Sequence, residues 1–193
     1  SLEAPKYPWE IDHELAGRGE AIFNRNCSRC HGTYGSEGRY PQKNVPIDVI
    51  GTDPTRSDAL TPVPRRWLPQ SWMTRETAEP VVIDPPGYVA PPLDGIWASA
   101  PYFHNGSVPT LWHVLNSDER PALWRRNENG YDPAGIGLEA TSAGSIPASV
   151  ETPAEQRTWF DTRLKGKSAG GHRFPDTLSR DEKRAVLEYL KTL

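Results

Sequence analysis

Apolar residues fall at helical spacing near the two ends of the chain and nowhere for long between them. Near the amino end, "GRGEAIFNRNCSRCH" sets Gly19, Phe23 and Cys27 four residues apart, which stacks them on one face of a helix. Near the carboxyl end, Ser179 followed by Glu182 makes a capping box. Beyond it, Val186, Leu187, Tyr189 and Leu190 form an apolar stripe in "DEKRAVLEYLKTL". A shorter helix is expected in "PTLWHVL", opened by Pro109 in its first turn. Residues 1–14 read as an extended arm and 15–31 as helix plus the motif that follows it. From Gly32 to Pro92 the chain carries eleven prolines and is expected to be mostly loop. Leu93 to Leu115 is a second core segment, and residues 117–170 read as irregular again, with a Ser/Ala/Gly/Pro-rich patch at Ala140–Val150.

Composition sharpens that picture. Only 36% of the 193 residues are hydrophobic, while 20 prolines and 16 glycines interrupt helices and strands. One coil-rich domain over 1–193 is expected, with a core lean enough to gain from a large apolar cofactor. The net charge of −3 gives no basic surface for nucleic acid. Apolar runs such as Val81–Ile83 are far too short to span a bilayer. A start at Ser1 without a leader reads as a mature or excised product.

Both cysteines lie in "CSRCHG", three residues apart with His31 directly after the second. Cys-x-x-Cys-His is the attachment signature of c-type haem. Cys27 and Cys30 can each form a thioether to a haem vinyl group, which brings His31 under the iron as proximal ligand. A thioredoxin-like redox pair needs a buried strand before it, and the residues here are polar and helical. A zinc site needs a second Cys/His cluster, and none exists.

The opposite face of such a haem is usually closed by Met or His. His13 stands too near the proximal side, and His113 reads as an ordinary residue of the short helix. Met73, the only methionine, lies in a polar, Pro-flanked loop. His104 lies in the turn-rich "APYFHNGSVPTL", where a buried histidine bonded to backbone or to a haem propionate is the plainer reading. His172 follows Gly170 and Gly171, whose lack of Cβ lets backbone approach a flat macrocycle, in the loop that feeds the last helix. His172 is the favoured sixth ligand, with Met73 and His104 as alternatives. Leu93, Ile96, Trp97, Tyr102 and Phe103 are expected haem-wall residues. Arg65, Arg66 and Trp67 in "PVPRRWLPQSW" are offered as partners for the propionates, or form a solvated basic turn.

With these residues in view, the chain resembles known families. Gly-x-x-x-Phe before the motif, and a helix at the end to cross it, are similar to class I cytochromes c. "PPLDGIWASAPYFHNGSVPTLWHVL" resembles a region of dihaem cytochrome c peroxidases. With "FDTRLKGKSAGGHRF" it is closer still to the C-terminal haem domain of rubber oxygenases. The resemblance implies a mostly α, class I cytochrome c-like helical fold with long Pro/Gly-rich loops. It also implies a haem held by His31 and His172 that serves electron transfer. Those enzymes carry two haems, whereas this chain has one Cys-x-x-Cys-His, so the resemblance is to their electron-transfer half. The expected function is one-electron transfer by a single haem c, bis-histidine ligated and of low potential compared with His/Met ligation. Its partner would be a redox protein or a neighbouring redox domain, and its site periplasmic or otherwise exported. The rivals are a peroxidase- or oxygenase-type enzyme with an open sixth position and His104 as acid–base group, and the electron-relay domain of a larger multihaem enzyme.

Overall fold

The computed structural model describes residues 3–59, 62–75 and 86–193. Helix α1 (His13–Asn26) starts where the Asp12 side chain accepts the Leu15 amide at 2.9 Å, so the arm ends one residue before His13. A single turn, α2 (Ser28–His31), carries the Cys-x-x-Cys-His motif. Short elements follow: β1 (Asn44–Pro46) and the one-turn helices α3 (Ile47–Ile50), α4 (Thr55–Asp58) and α5 (Pro62–Trp67). Then come β2 (Gly87–Val89), α6 (Leu111–Leu115), β3 (Leu123–Asp132), β4 (Gly137–Ser142), α7 (Pro153–Gln156), β5 (Trp159–Asp161) and α8 (Arg180–Leu190). The Pro109 expectation is shifted by two residues, since Thr110 caps α6 with its hydroxyl accepting the His113 amide.

The core is built where α1 crosses α8. A Cβ at Gly19 would lie 1.9 Å from the Ala185 carbonyl oxygen, so the two backbones touch there and only glycine fits. Ile22 and Phe23 from α1 meet Val186, Leu187, Tyr189 and Leu190 from α8, with Phe23 and Tyr189 rings 5.3 Å apart. The capping box at Ser179 and Glu182 is formed as expected.

The expectation of a mostly helical fold is overturned. Helix makes up 37% and strand 15%; among the described residues the strands form two antiparallel sheets, and only α1 and α8 are long helices. One sheet pairs β1 with β2, Val45 facing Tyr88, and ties the two ends of the Pro-rich stretch together. The other runs β4-β3-β5 through the segment read as irregular. Its hairpin closes on Asp132, whose carboxylate accepts the Ala134 and Gly135 amides at 2.9 Å and turns the chain at Pro133. Trp124 and Phe160 stack across β3 and β5 at 5.4 Å, and Arg125 lies over the Trp159 ring, so aromatic pairs hold the sheet together.

Residues 3–12 pass over this frame as an extended arm pinned by aromatics. Tyr7 packs edge-on against Trp97 at 5.5 Å, and Trp9 stacks on Tyr131 at 4.7 Å. Among the described residues no helix is long and apolar enough to cross a membrane.

Candidate functional site

Between α2, the β2–α6 connection and the loop before α8 lies a cavity of about 530 Å³. That is within the range of roughly 300–1,000 Å³ usual for cofactor clefts. Cys27, Cys30, His31 and His172 line it, together with Leu93, Ile96, Tyr102, Phe103 and His104. Nine of the residues singled out in the sequence therefore share one wall-to-wall space. Trp97 is not among the lining residues: its indole donates to the Pro5 carbonyl at 2.8 Å and packs among the aromatics of the arm. Arg66 and Trp67 end α5 at the surface, Trp67 being 75% exposed. The side chains of Arg65 and Met73 lie outside the described part of the structure. His13 is exposed, and His113 bonds the Thr110 hydroxyl at 2.6 Å without lining the cavity.

The two cysteines follow α1 without a break. The Cys27 amide donates to the Phe23 carbonyl, and the Cys30 and His31 amides both donate to the Cys27 carbonyl. Both thiols are free and half-buried. Burial pushes the Cys27 thiol up to about 11, with Cys30 adding to the rise and Arg29 opposing it. A redox-active pair needs the reverse, a thiol lowered toward neutrality. A Cys27 thiol raised in this way is poorly suited to disulfide exchange.

His31 is oriented by one bond, Nδ1 to the Pro91 carbonyl at 2.9 Å. A carbonyl only accepts, so Nδ1 carries the proton and the lone pair is left on Nε2, free for a metal. Burial lowers the His31 pKa, and the Pro91 bond only partly offsets this, so the neutral, ligating form is favoured. His172 is held at φ +49° behind Gly171 at φ +78°. A Cβ on Gly171 would lie 2.3 Å from Gly51 C and Thr52 N, so the second of the two glycines noticed in the sequence serves a close crossing of two backbones, while Gly170 meets no main chain closer than 3.8 Å. The His172 amide donates to the Ile50 carbonyl at 2.7 Å, which fixes that crossing. Gly171→Ala is expected to melt well below the parent, about 3 kcal/mol less stable, because the clash is with main chain that cannot swing away; thermal unfolding checks it.

The imidazoles of His31 and His172 meet edge-on in this space, with ring centres 6.1 Å apart and planes at 68°. A ligating nitrogen stands roughly 2 Å from its metal and the ring centre about 1 Å further, so two rings on opposite sides of one ion have centres about 6 Å apart. Burial, then His31 and Arg120, lowers the His172 pKa to about 4, which keeps its ring neutral. Its Nδ1 is buried with no hydrogen-bond partner. Among the described residues no cluster of three or more His, Cys, Asp or Glu could hold a bare ion. Two opposed imidazoles in an apolar space fit a metal whose other ligands come from a macrocycle, and the paired thiols fit its attachment.

His104 has a different setting from His172. Its ring stacks on Tyr88 at 4.2 Å, and the Tyr88 hydroxyl donates to the Asp53 carbonyl at 3.0 Å. The buried Asp53 carboxylate accepts the Thr55 amide at 2.9 Å and the Ser168 amide at 3.1 Å, tying the loop before α4 to the one before α8. Burial pushes this carboxyl up, but the bonds from Thr55 and Ser168 outweigh it and hold it below the usual range. A depressed folded pKa adds stability above the unfolded pKa, and that stability is lost as pH falls through the folded one. Asp53→Asn is therefore expected to cost about 2 kcal/mol at neutral pH and progressively less on acidification, as denaturant unfolding at several pH values would record.

Three features escaped the sequence reading. The Pro91 carbonyl that orients His31 is main chain, the Asp53–Tyr88 support of His104 joins residues 35 apart, and β2 was hidden in a proline-rich stretch. Residues 87–125, which hold β2, the cavity wall from Leu93 to His104, and α6, match the family described as RoxA-like, cytochrome c-like. The chain is similar to uncharacterized protein y4iM of Sinorhizobium fredii (strain NBRC 101917 / NGR234). The two are 31% identical over 200 residues, covering 89% of this chain and 44% of that protein. It is also similar to uncharacterized protein y4iJ of the same organism, 40% identical over 120 residues, covering 56% of this chain and 18% of that protein. The chain thus spans less than half the length of these curated relatives. The family match over one wall of the cavity supports a cytochrome c-like domain.

Proposed function

We propose that this chain carries one haem c, attached through Cys27 and Cys30 and closed by His31 and His172, and that it works as a one-electron carrier or relay. The observation that carries the reading is the pair of imidazoles 6.1 Å apart in a cavity lined by both cysteines. The haem supplies an iron that accepts and releases one electron. The chain's own residues do the rest. The Pro91 carbonyl holds the proton on His31 Nδ1 and so leaves Nε2 to ligate. Burial keeps both imidazoles neutral. The apolar walls from Leu93, Tyr102, Val186 and Leu190 exclude water and stabilise a large flat ring. Ligands that stay in place in both oxidation states favour electron transfer over binding of oxygen or peroxide.

The length of the relatives favours the relay form of this reading, in which the domain passes electrons to another part of a longer protein. Attachment of haem to two cysteines also implies an exported, periplasmic-type location. Arg66 and Trp67 are not assigned to the propionates. Acid–acetone extraction, denaturing mass analysis and a potentiometric titration test the proposal together. One haem retained per chain and a reversible one-electron transition support it. Haem that extracts freely refutes the covalent part, and turnover with peroxide refutes the carrier part.

A further inference from the structure

Arg120 follows the turn Ser117–Glu119 and is not part of the cavity wall. Its guanidinium nevertheless spends all its donors on main-chain carbonyls. Nε donates to His113 O at 2.9 Å, Nη1 to Ala169 O at 2.8 Å and Gly171 O at 2.7 Å, and Nη2 to Val114 O at 3.1 Å and, longer, to His172 O at 3.5 Å. An arginine has five N–H groups in a rigid fork, and these five bonds use them. The same group lies 4.9 Å from the centre of the Phe103 ring, which meets the His172 ring edge-on at 6.0 Å.

Two of the acceptors lie at the end of α6, where a helix leaves carbonyls unpaired, and serving them alone would make Arg120 an ordinary cap. The other three belong to residues 169–172, the loop that presents His172. That loop needs holding. Gly171 and His172 are both in the left-handed region, which costs a histidine conformational energy and persists only where the surroundings impose it. To the Ile50 side it donates one bond; from Arg120 it accepts three.

We infer that Arg120 is the positioning residue for the sixth ligand: its fork locks residues 169–172 to α6 and so keeps the His172 imidazole opposed to His31. The inference rests on the ligand assignment proposed above. Lysine keeps the charge and loses the fork, so charge alone does not substitute for it.

The test uses the haem-loaded full chain with Arg120→Lys and Arg120→Met. Both variants are expected to retain attached haem and to weaken His172 ligation roughly tenfold to a hundredfold, as outer-shell substitutions do. The readouts are a high-spin fraction in the ferric spectrum and carbon monoxide binding to the ferrous form. Free imidazole is expected to restore the parent's low-spin spectrum in both variants, which a general loss of stability does not allow. If Arg120→Met does not fold, Arg120→Lys decides. A parent that is closed to carbon monoxide with an Arg120→Lys variant equally closed overturns this inference alone, leaving Arg120 a cap that affects only the melting temperature. A parent that binds carbon monoxide at once overturns the ligand assignment and this inference with it.

Discussion

Replacing His172 by glycine is expected to leave haem attached to the chain and to turn a low-spin centre into a high-spin one that takes carbon monoxide. The backbone makes this substitution unusually clean. His172 sits at φ +49°, a conformation that costs histidine energy and glycine almost none. The variant loses the ring and relaxes the main chain, and the amide that donates to Ile50 remains. The fold is therefore expected to hold, less stable by about 1–3 kcal/mol for the lost buried ring, while the spectrum changes completely. His104→Ala, by contrast, is expected to stay low-spin. His104 lines the same cavity but is stacked on Tyr88 at 4.2 Å. Ferric spectra of the two variants separate the assignments: a low-spin His172→Gly beside a high-spin His104→Ala reverses them.

The largest stability effect is expected at Gly19. Gly19→Val is predicted to lower stability by about 3 kcal/mol or more, or roughly 10 °C in melting temperature for a chain of this size. A Cβ there would stand 1.9 Å from the Ala185 carbonyl oxygen, 2.4 Å from its carbon and 3.0 Å from the Tyr189 Cβ. No rotamer relieves a clash with main chain, so α1 and α8 must separate, and α1 is the helix that leads into Cys27 and His31. Gly17 supplies the control on the same helix. Nothing lies within 4 Å of a Cβ there, and Gly17→Ala is expected to stabilise by about 0.5–1 kcal/mol through helix propensity. Thermal unfolding of both variants tests this, and equal melting temperatures contradict the close crossing.

The elements legible in the sequence were those whose signals are local. The capping box at Ser179, the four-residue spacing from Gly19 to Cys27 and the Cys-x-x-Cys-His turn are each contained within a few residues, and each stands where it was expected. The β3–β4 hairpin was missed because its first strand, "LWRRNENGYD", does not alternate apolar with polar residues and slips register between Arg126 and Tyr131. Its turn at Asp132-Pro133-Ala134-Gly135 was a signal that could have been used. Trp97 shows the limit of composition. An aromatic in a core segment can face a cofactor or a neighbour, and here the neighbours are Pro5, Tyr7 and Trp9, some ninety residues away. Arg120 lies beyond any local reading, since its partners in the 169–172 loop are about fifty residues distant.

In the cavity, the residues brought together by that folding are more informative than the helix content. A chain with more strand than a helical cytochrome fold still brings His31 and His172 within 6.1 Å, ring centre to ring centre, in an apolar space beside two cysteines. The chemistry resides in that arrangement, and the fold class does not decide it.

The most direct test of the central claim is to reduce the purified, haem-loaded chain, record its visible spectrum, and add carbon monoxide. An unchanged low-spin ferrous spectrum is the predicted result, because on the proposed function His31 and His172 would both ligate the iron and leave no position for carbon monoxide. Rapid formation of a carbon monoxide complex would contradict the closed, electron-transferring site.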